Sequence, residues 1–111
     1  MIVGKVDAGA CGFQTRIEAA ASGMETVRIH IESECPDIQK AAADLKEIAI
    51  MEEAFGKIGA TRVYETIARY CKHASCPVPM AILKSAEAAA GIALPKTVSL
   101  TMEKIEDERE R

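Results

Sequence analysis

Residues 13–36, "FQTRIEAAASGMETVRIHIESECP", decide the fold. The second half alternates. Val27, Ile29 and Ile31 fall on one face, and Arg28, His30 and Glu32 on the other. Alternation with a period of two marks a strand with one buried face. Phe13, Thr15, Ile17 and Ala19 supply a matching face in the first half, and "SGM" at 22–24 carries a turn glycine. The two halves therefore read as a β-hairpin. Both apolar faces sit on odd positions, so odd must pair with odd, because a one-residue slip would turn a whole face to solvent. With Ser22, Gly23 and Met24 as the loop, Ile17 opposes Ile29, Thr15 opposes Ile31, and Phe13 opposes Ser33. Further out, Cys11 then lies opposite Cys35. A register shifted by two would still leave both thiols at one end of the hairpin.

Helical spacing takes over after the hairpin. "CPDIQKAAADLKEIA" (35–49) puts Ile38, Ala41, Ala42, Leu45 and Ile48 on one face. Pro36 suits the first helical position, which makes Cys35 the N-cap. "MEEAFGKIGA" (51–60), with its two glycines, ends this helix or adds a short turn. "TRVYETIARYCKHA" (61–74) resumes the pattern through Val63, Ile67, Tyr70, Cys71 and Ala74, with Thr61 as its cap. "PVPMAILKSAEAAAG" (77–91) is an alanine-rich third helix, and "KTVSLTME" (96–103) a closing strand with Val98, Leu100 and Met102 on one face. "MIVGKV" at the start adds an edge strand. The expectation is a single α+β domain over 1–102. Its antiparallel sheet has three or four strands, with about three helices mainly on one face. A charged tail, solvated or a frayed helix, follows over 103–111.

Composition narrows the function classes. The chain has 111 residues, enough for one core and not for two. Hydrophobic residues make up 49% but aromatics only 4%, so Ala, Ile, Val, Leu and Met must fill that core. A net charge of −3 and scarce aromatics argue against nucleic acid as a partner. No apolar run is long enough to span a bilayer, and the start lacks the cationic and apolar regions of a signal peptide. The expected location is the cytoplasm, where four cysteines are reduced thiols or metal ligands rather than disulfides. The alanine-rich helix face is compatible with a homodimer or another protein partner.

The cysteines carry what chemistry the sequence offers. Cys76 and Cys35 each precede a proline at the start of a helix, where free N–H groups and the helix dipole favour thiolate. Pro77 and Pro79 withhold two of those N–H groups at Cys76 and stiffen the chain instead. Glu34 and Asp37 flank Cys35 and oppose its ionisation, which a bound cation would relieve. Cys11 sits in "GACGF", between glycines that let backbone approach a ligand. Cys71 lies on the apolar stripe of its helix, the place of an ordinary buried cysteine, yet "CKHASC" also brings Cys71 or His73 within reach of Cys76. His30, on the polar side of its strand, reads as simply exposed. Cys11, Cys35 and Cys76 are thus the expected ligands, with Cys71 or His73 as fourth, for an iron–sulfur cluster or a zinc ion. The alternatives are sulfur transfer through Cys76, with Cys35 as resolving thiol, and an interaction module whose cysteines only pack. Whether the chain is an enzyme stays open.

"ACGF", the strand pair, "SECP", "CPVP" and "AGIALPKTVSL" together resemble an uncharacterised prokaryotic family, a domain of unknown function from anaerobic bacteria and archaea. That resemblance covers residues 9–102 and implies no activity or ligand. The Cys-Pro-x-Pro segment, 76–102, is also similar to the sulfur carriers of the TusA type. The similarity implies that Cys76 would carry a persulfide. Those carriers reach the motif directly from a first strand, whereas a helix precedes it here.

Overall fold

A computed structural model describes residues 1–106 and 109. The expected α+β architecture is present: a four-stranded antiparallel sheet with helices. The strands are β1 (Ile2–Asp7), β2 (Gln14–Ala21), β3 (Thr26–Ser33) and β4 (Glu47–Ala49), and they lie side by side in chain order. The helices are α1 (Pro36–Ala42), α2 (Ile50–Ala54), α3 (Arg62–Tyr70) and α4 (Val78–Ala89).

The hairpin alternation is met in full. Thr15, Ile17 and Ala19 of β2 and Val27, Ile29 and Ile31 of β3 are buried. The register, however, is displaced by two residues. Ile17 pairs with Ile31, Ala19 with Ile29, and Thr15 with Ser33. The cause is the turn. Ser22 N–H donates to the Thr26 carbonyl at 3.0 Å, and the Ser22 hydroxyl reaches Thr26 Oγ1 at 3.0 Å and Glu47 Oε2 at 3.0 Å. Ser22 therefore belongs to the ladder, and the loop is Gly23, Met24 and Glu25. The parity rule allowed this register equally well; only the turn chemistry separates the two.

The segment after β3 departs from one long helix. Ile38, Ala41, Leu45 and Ile48 are all buried, as the spacing requires. Yet α1 ends at Ala42 in tight turns, with Asp44 N–H donating to the Ala41 carbonyl at 3.0 Å. Ile48 then reaches the core from β4, paired with Val27. Three residues are too few to show a period, so periodicity could not separate strand from helix here. The turn is held from α3. Arg62 donates to the carbonyls of Asp44 and Glu47 at 3.3 Å each, and Tyr70 donates its hydroxyl to Asp44. That bond to a carboxylate raises the Tyr70 pKa. Thr61 caps α3 by accepting Tyr64 N–H, and the buried Glu53 of α2 accepts Val63 N–H at 3.3 Å.

Helix α4 packs on β1 and β2, while α1 packs on β3 and α3 touches both helices. The approach of α4 to β1 is so close that a Cβ at Gly4 would run into the Ser85 hydroxyl. Ile82 and Ala86 are completely buried beneath it. Helix α4 closes with Gly91 N–H donating to the Ala88 carbonyl and Ile92 N–H to that of Glu87, a Schellman arrangement.

The expected closing strand does not form. "KTVSLTME" runs as irregular chain, with Val98, Leu100 and Met102 exposed. Alternation alone makes no strand without an edge to supply its hydrogen bonds. The tail expected over 103–111 lies partly outside the described residues; Glu103 to Glu106 are exposed and without helix.

Candidate functional site

Cys35 is mounted at the end of β3 by a small polar network. Its N–H donates to the Ser33 hydroxyl at 3.1 Å, and that hydroxyl bonds Thr15 Oγ1 at 2.8 Å. Gln39 Nε2 donates to the Ser33 carbonyl at 2.7 Å. One residue earlier, Glu34 exchanges bonds with Gln14: its N–H donates to the Gln14 carbonyl, and its carboxylate accepts the Gln14 N–H at 2.7 Å. Cys35 takes extended geometry, φ −78° and ψ 121°, and Pro36 opens α1. The side chain is half-buried against the core.

Cys71 ends α3. Its N–H donates to the Ile67 carbonyl at 2.7 Å, and it is only 6% exposed. The chain then turns back, with Cys76 N–H donating to the His73 carbonyl at 3.1 Å. Helical hydrogen bonding proper starts at Val78, but Pro77 already has helical angles, φ −81° and ψ −7°. Pro77 is the N-cap, so Cys76 lies one residue ahead of it, and the Val78 N–H favours the Cys76 thiolate. Cys76 is half-buried and packs against the same core.

The start of α1, the end of α3 and the start of α4 thus bring Cys35, Cys71 and Cys76 together. Cys71 and Cys35 are both near enough to Cys76 to act on it electrostatically. All four cysteines of the chain are free thiols. The electrostatics reverse the sequence-based expectation for Cys76. Burial first, then the neighbouring Cys71 and Cys35, push its pKa up to about 11, against the smaller opposing pull of the Val78 N–H. The prolines explain why the helix terminus loses: two of the first N–H groups are missing. A thiol of that pKa is ionised in about one molecule in ten thousand at neutral pH.

Cys11 is placed differently. It occupies the β1–β2 turn, where Gly9 and Gly12 both take positive φ, 82° and 74°, and it is exposed. Asp7 accepts Gly9 N–H at 2.9 Å across this turn, which holds its carboxyl below the usual range. The sheet keeps Cys11 at the same end as Cys35, as the hairpin argument required. The ladder does not set the two opposite each other, since the register moved by two. His73 is exposed in the loop between Cys71 and Cys76.

The displaced register also creates a group that the sequence reading missed. Glu18 now pairs with His30, and Glu32 lies on the same outer face. Their ligand atoms fall within 4.8 Å of one another, and His30 Nε2 is 3.1 Å from Glu32 Oε1. In the register expected from the sequence, Arg28 would have stood opposite Glu18. All three side chains are solvated to some degree, and Arg16 already pairs with Glu18 at 2.8 Å. The three sulfurs of Cys35, Cys71 and Cys76 do not all meet that 4.8 Å spacing, so at least one pair stands wider.

Residues 2–102 match the model of DUF6951, a family of unknown function. The chain belongs to this family. No curated protein and no solved structure matched it. Among the described residues of this DUF6951 protein, no helix is long and apolar enough to cross a membrane.

Proposed function

We propose that Cys35, Cys71 and Cys76 form a thiolate centre for a soft metal, either an iron–sulfur cluster or a zinc ion. The observation that carries this reading is the convergence of three thiols from three separate elements on one core. Burial, and then Cys71 and Cys35, disfavour ionisation of Cys76. A bound cation reverses that effect, because a coordinated thiol is deprotonated outright. The spacing bears on the choice of metal. A single ion with bonds of about 2.3 Å needs its sulfurs close together, so one side chain must swing inward. An iron–sulfur cluster accepts more widely spaced thiolates. His73, on the loop between two of the ligands, or solvent would complete the set. Such a centre belongs in a reducing compartment such as the cytoplasm, since oxidation would threaten the Cys71–Cys76 pair.

Sulfur transfer through Cys76 is the second reading. It needs an accessible thiol with a lowered pKa. Burial and the neighbouring cysteines push Cys76 the other way.

Reduced metal-free protein would be titrated with zinc and, separately, with iron and sulfide without oxygen. The proposal expects saturation near one centre per chain and loss of three reactive thiols. Protein that takes up neither, with its thiols still reactive, would refute it.

A further inference from the structure

The chain contains an unpaired strand pattern and an unpaired sheet edge. Residues 96–103 alternate as a strand does, and Val98, Leu100 and Met102 are 53%, 80% and 85% exposed. Thr97, Ser99 and Thr101 on the other side are short, polar and suited to a solvated sheet face. Strand β1 is the outermost strand beside β2, so among the described residues one side of its backbone has no ladder partner. Its Ile2, Gly4 and Val6 face the helices, with both apolar side chains half-buried. Two features say that the arm is a working part and not a loose end. The family match runs through it and stops at Met102, at its last apolar residue. The Schellman closure of α4 also fixes the direction in which the arm leaves.

We infer that the arm around residues 97–102 adds as a fifth strand to β1 of a second copy of this chain, and receives that copy's arm in return. One operation satisfies both unpaired elements in both chains, so the exchange closes as a two-fold dimer. An antiparallel register with Leu100 beside Gly4 lays Met102 next to Ile2 and Val98 next to Val6. The apolar side chains then extend the helix-covered face, and Thr97, Ser99 and Thr101 join the outer face beside Asp7, Lys5 and Val3. The parallel alternative would set Glu103 against Asp7, a like-charge pair. The antiparallel register keeps Glu103 at the other end of β1.

The test uses the full chain. Light scattering across a range of concentrations should give twice the 11.9 kDa of one chain at high concentration. Hydrogen exchange should show protected amides at 97–102 in that dimer and lose the protection on dilution. Ser99→Pro, which removes an N–H from the arm, and Leu100→Asp should each yield monomer with unchanged circular dichroism, because neither residue contributes to the core. Monomer at every concentration would overturn the inference, whether the arm exchanges freely or is protected against its own β1. So would a dimer that both variants leave intact.

Discussion

Cys11 lies beyond the same end of the sheet as Cys35, the neighbour of Cys76, yet Cys11 and Cys76 meet different surroundings. Cys11 rides on an exposed hairpin tip held by two positive-φ glycines and one carboxylate bond. Cys76 immediately precedes the cap of α4 and has Cys71 and Cys35 as neighbours. A strand register decides at which end of a sheet a residue lies and, within the ladder, which face it takes. Cys11 and Cys35 lie beyond the ladder, where register no longer sets the face. The helix ends set Cys35, Cys71 and Cys76 against the core, while Cys11 stays exposed.

The sharpest way to break this contrast is to remove thiols one at a time. Cys35→Ser, Cys71→Ser and Cys76→Ser should each weaken metal binding by more than the roughly ten- to hundred-fold that loss of an outer-shell partner costs. Cys11→Ser and His30→Ala should leave the affinity unchanged. Competition with a chromophoric chelator measures all five. Equal losses at Cys11 and Cys76 would erase the distinction.

Next in size is a change beneath the thiols. Ile82 is completely buried in the core that Cys35, Cys71 and Cys76 pack on. Ile82→Ala should cost about 2–5 kcal/mol in denaturant unfolding. Below the unfolding transition the thiols should keep their reactivity order. With limiting alkylating reagent and peptide mapping, that order in metal-free protein should be Cys11 first and Cys71 last, following exposure.

The pH dependence of Cys76 separates the two regions more finely. Its folded pKa, about 11, lies above the ordinary 9.0. The folded state therefore holds the proton more tightly than the unfolded chain. The resulting stability is complete below pH 9 and lost as pH rises through 11. Thiolate absorbance should show one group titrating near 11 in metal-free protein. Metal binding near neutral pH should release protons from the same group. The smallest effect belongs to the hairpin tip. Asp7→Asn should slightly loosen the Cys11 turn in hydrogen exchange. Asp7 has a lowered pKa, so the same loosening should appear in the unmodified protein as pH falls through its titration.

The sequence made the hairpin legible because six buried positions alternate without a break from Thr15 to Ile31. It made the helix starts at Pro36 and Arg62 legible through proline and threonine. It left the register open, since a shift by two preserves every face, and the choice rested on where Ser22 joins the ladder. That ambiguity hid the pairing of Glu18 with His30. Strand β4 was hidden because its three residues, with Ile48 alone buried, are too few to show a period. Cys71 was read correctly as buried on an apolar stripe, but its partnership with Cys76 depended on how residues 72–75 turn. Residues 96–103 carry a strand's pattern, but among the described residues they pair with no strand.

The most direct test of the three-thiol centre is metal and sulfide analysis of protein purified without oxygen, run beside its four Cys→Ser variants. The account predicts iron with sulfide, or zinc, near one centre per chain in the unsubstituted protein and in Cys11→Ser, and loss of it in Cys35→Ser, Cys71→Ser and Cys76→Ser. Metal-free protein from cells well supplied with iron and zinc, or metal lost only with Cys11, would contradict it.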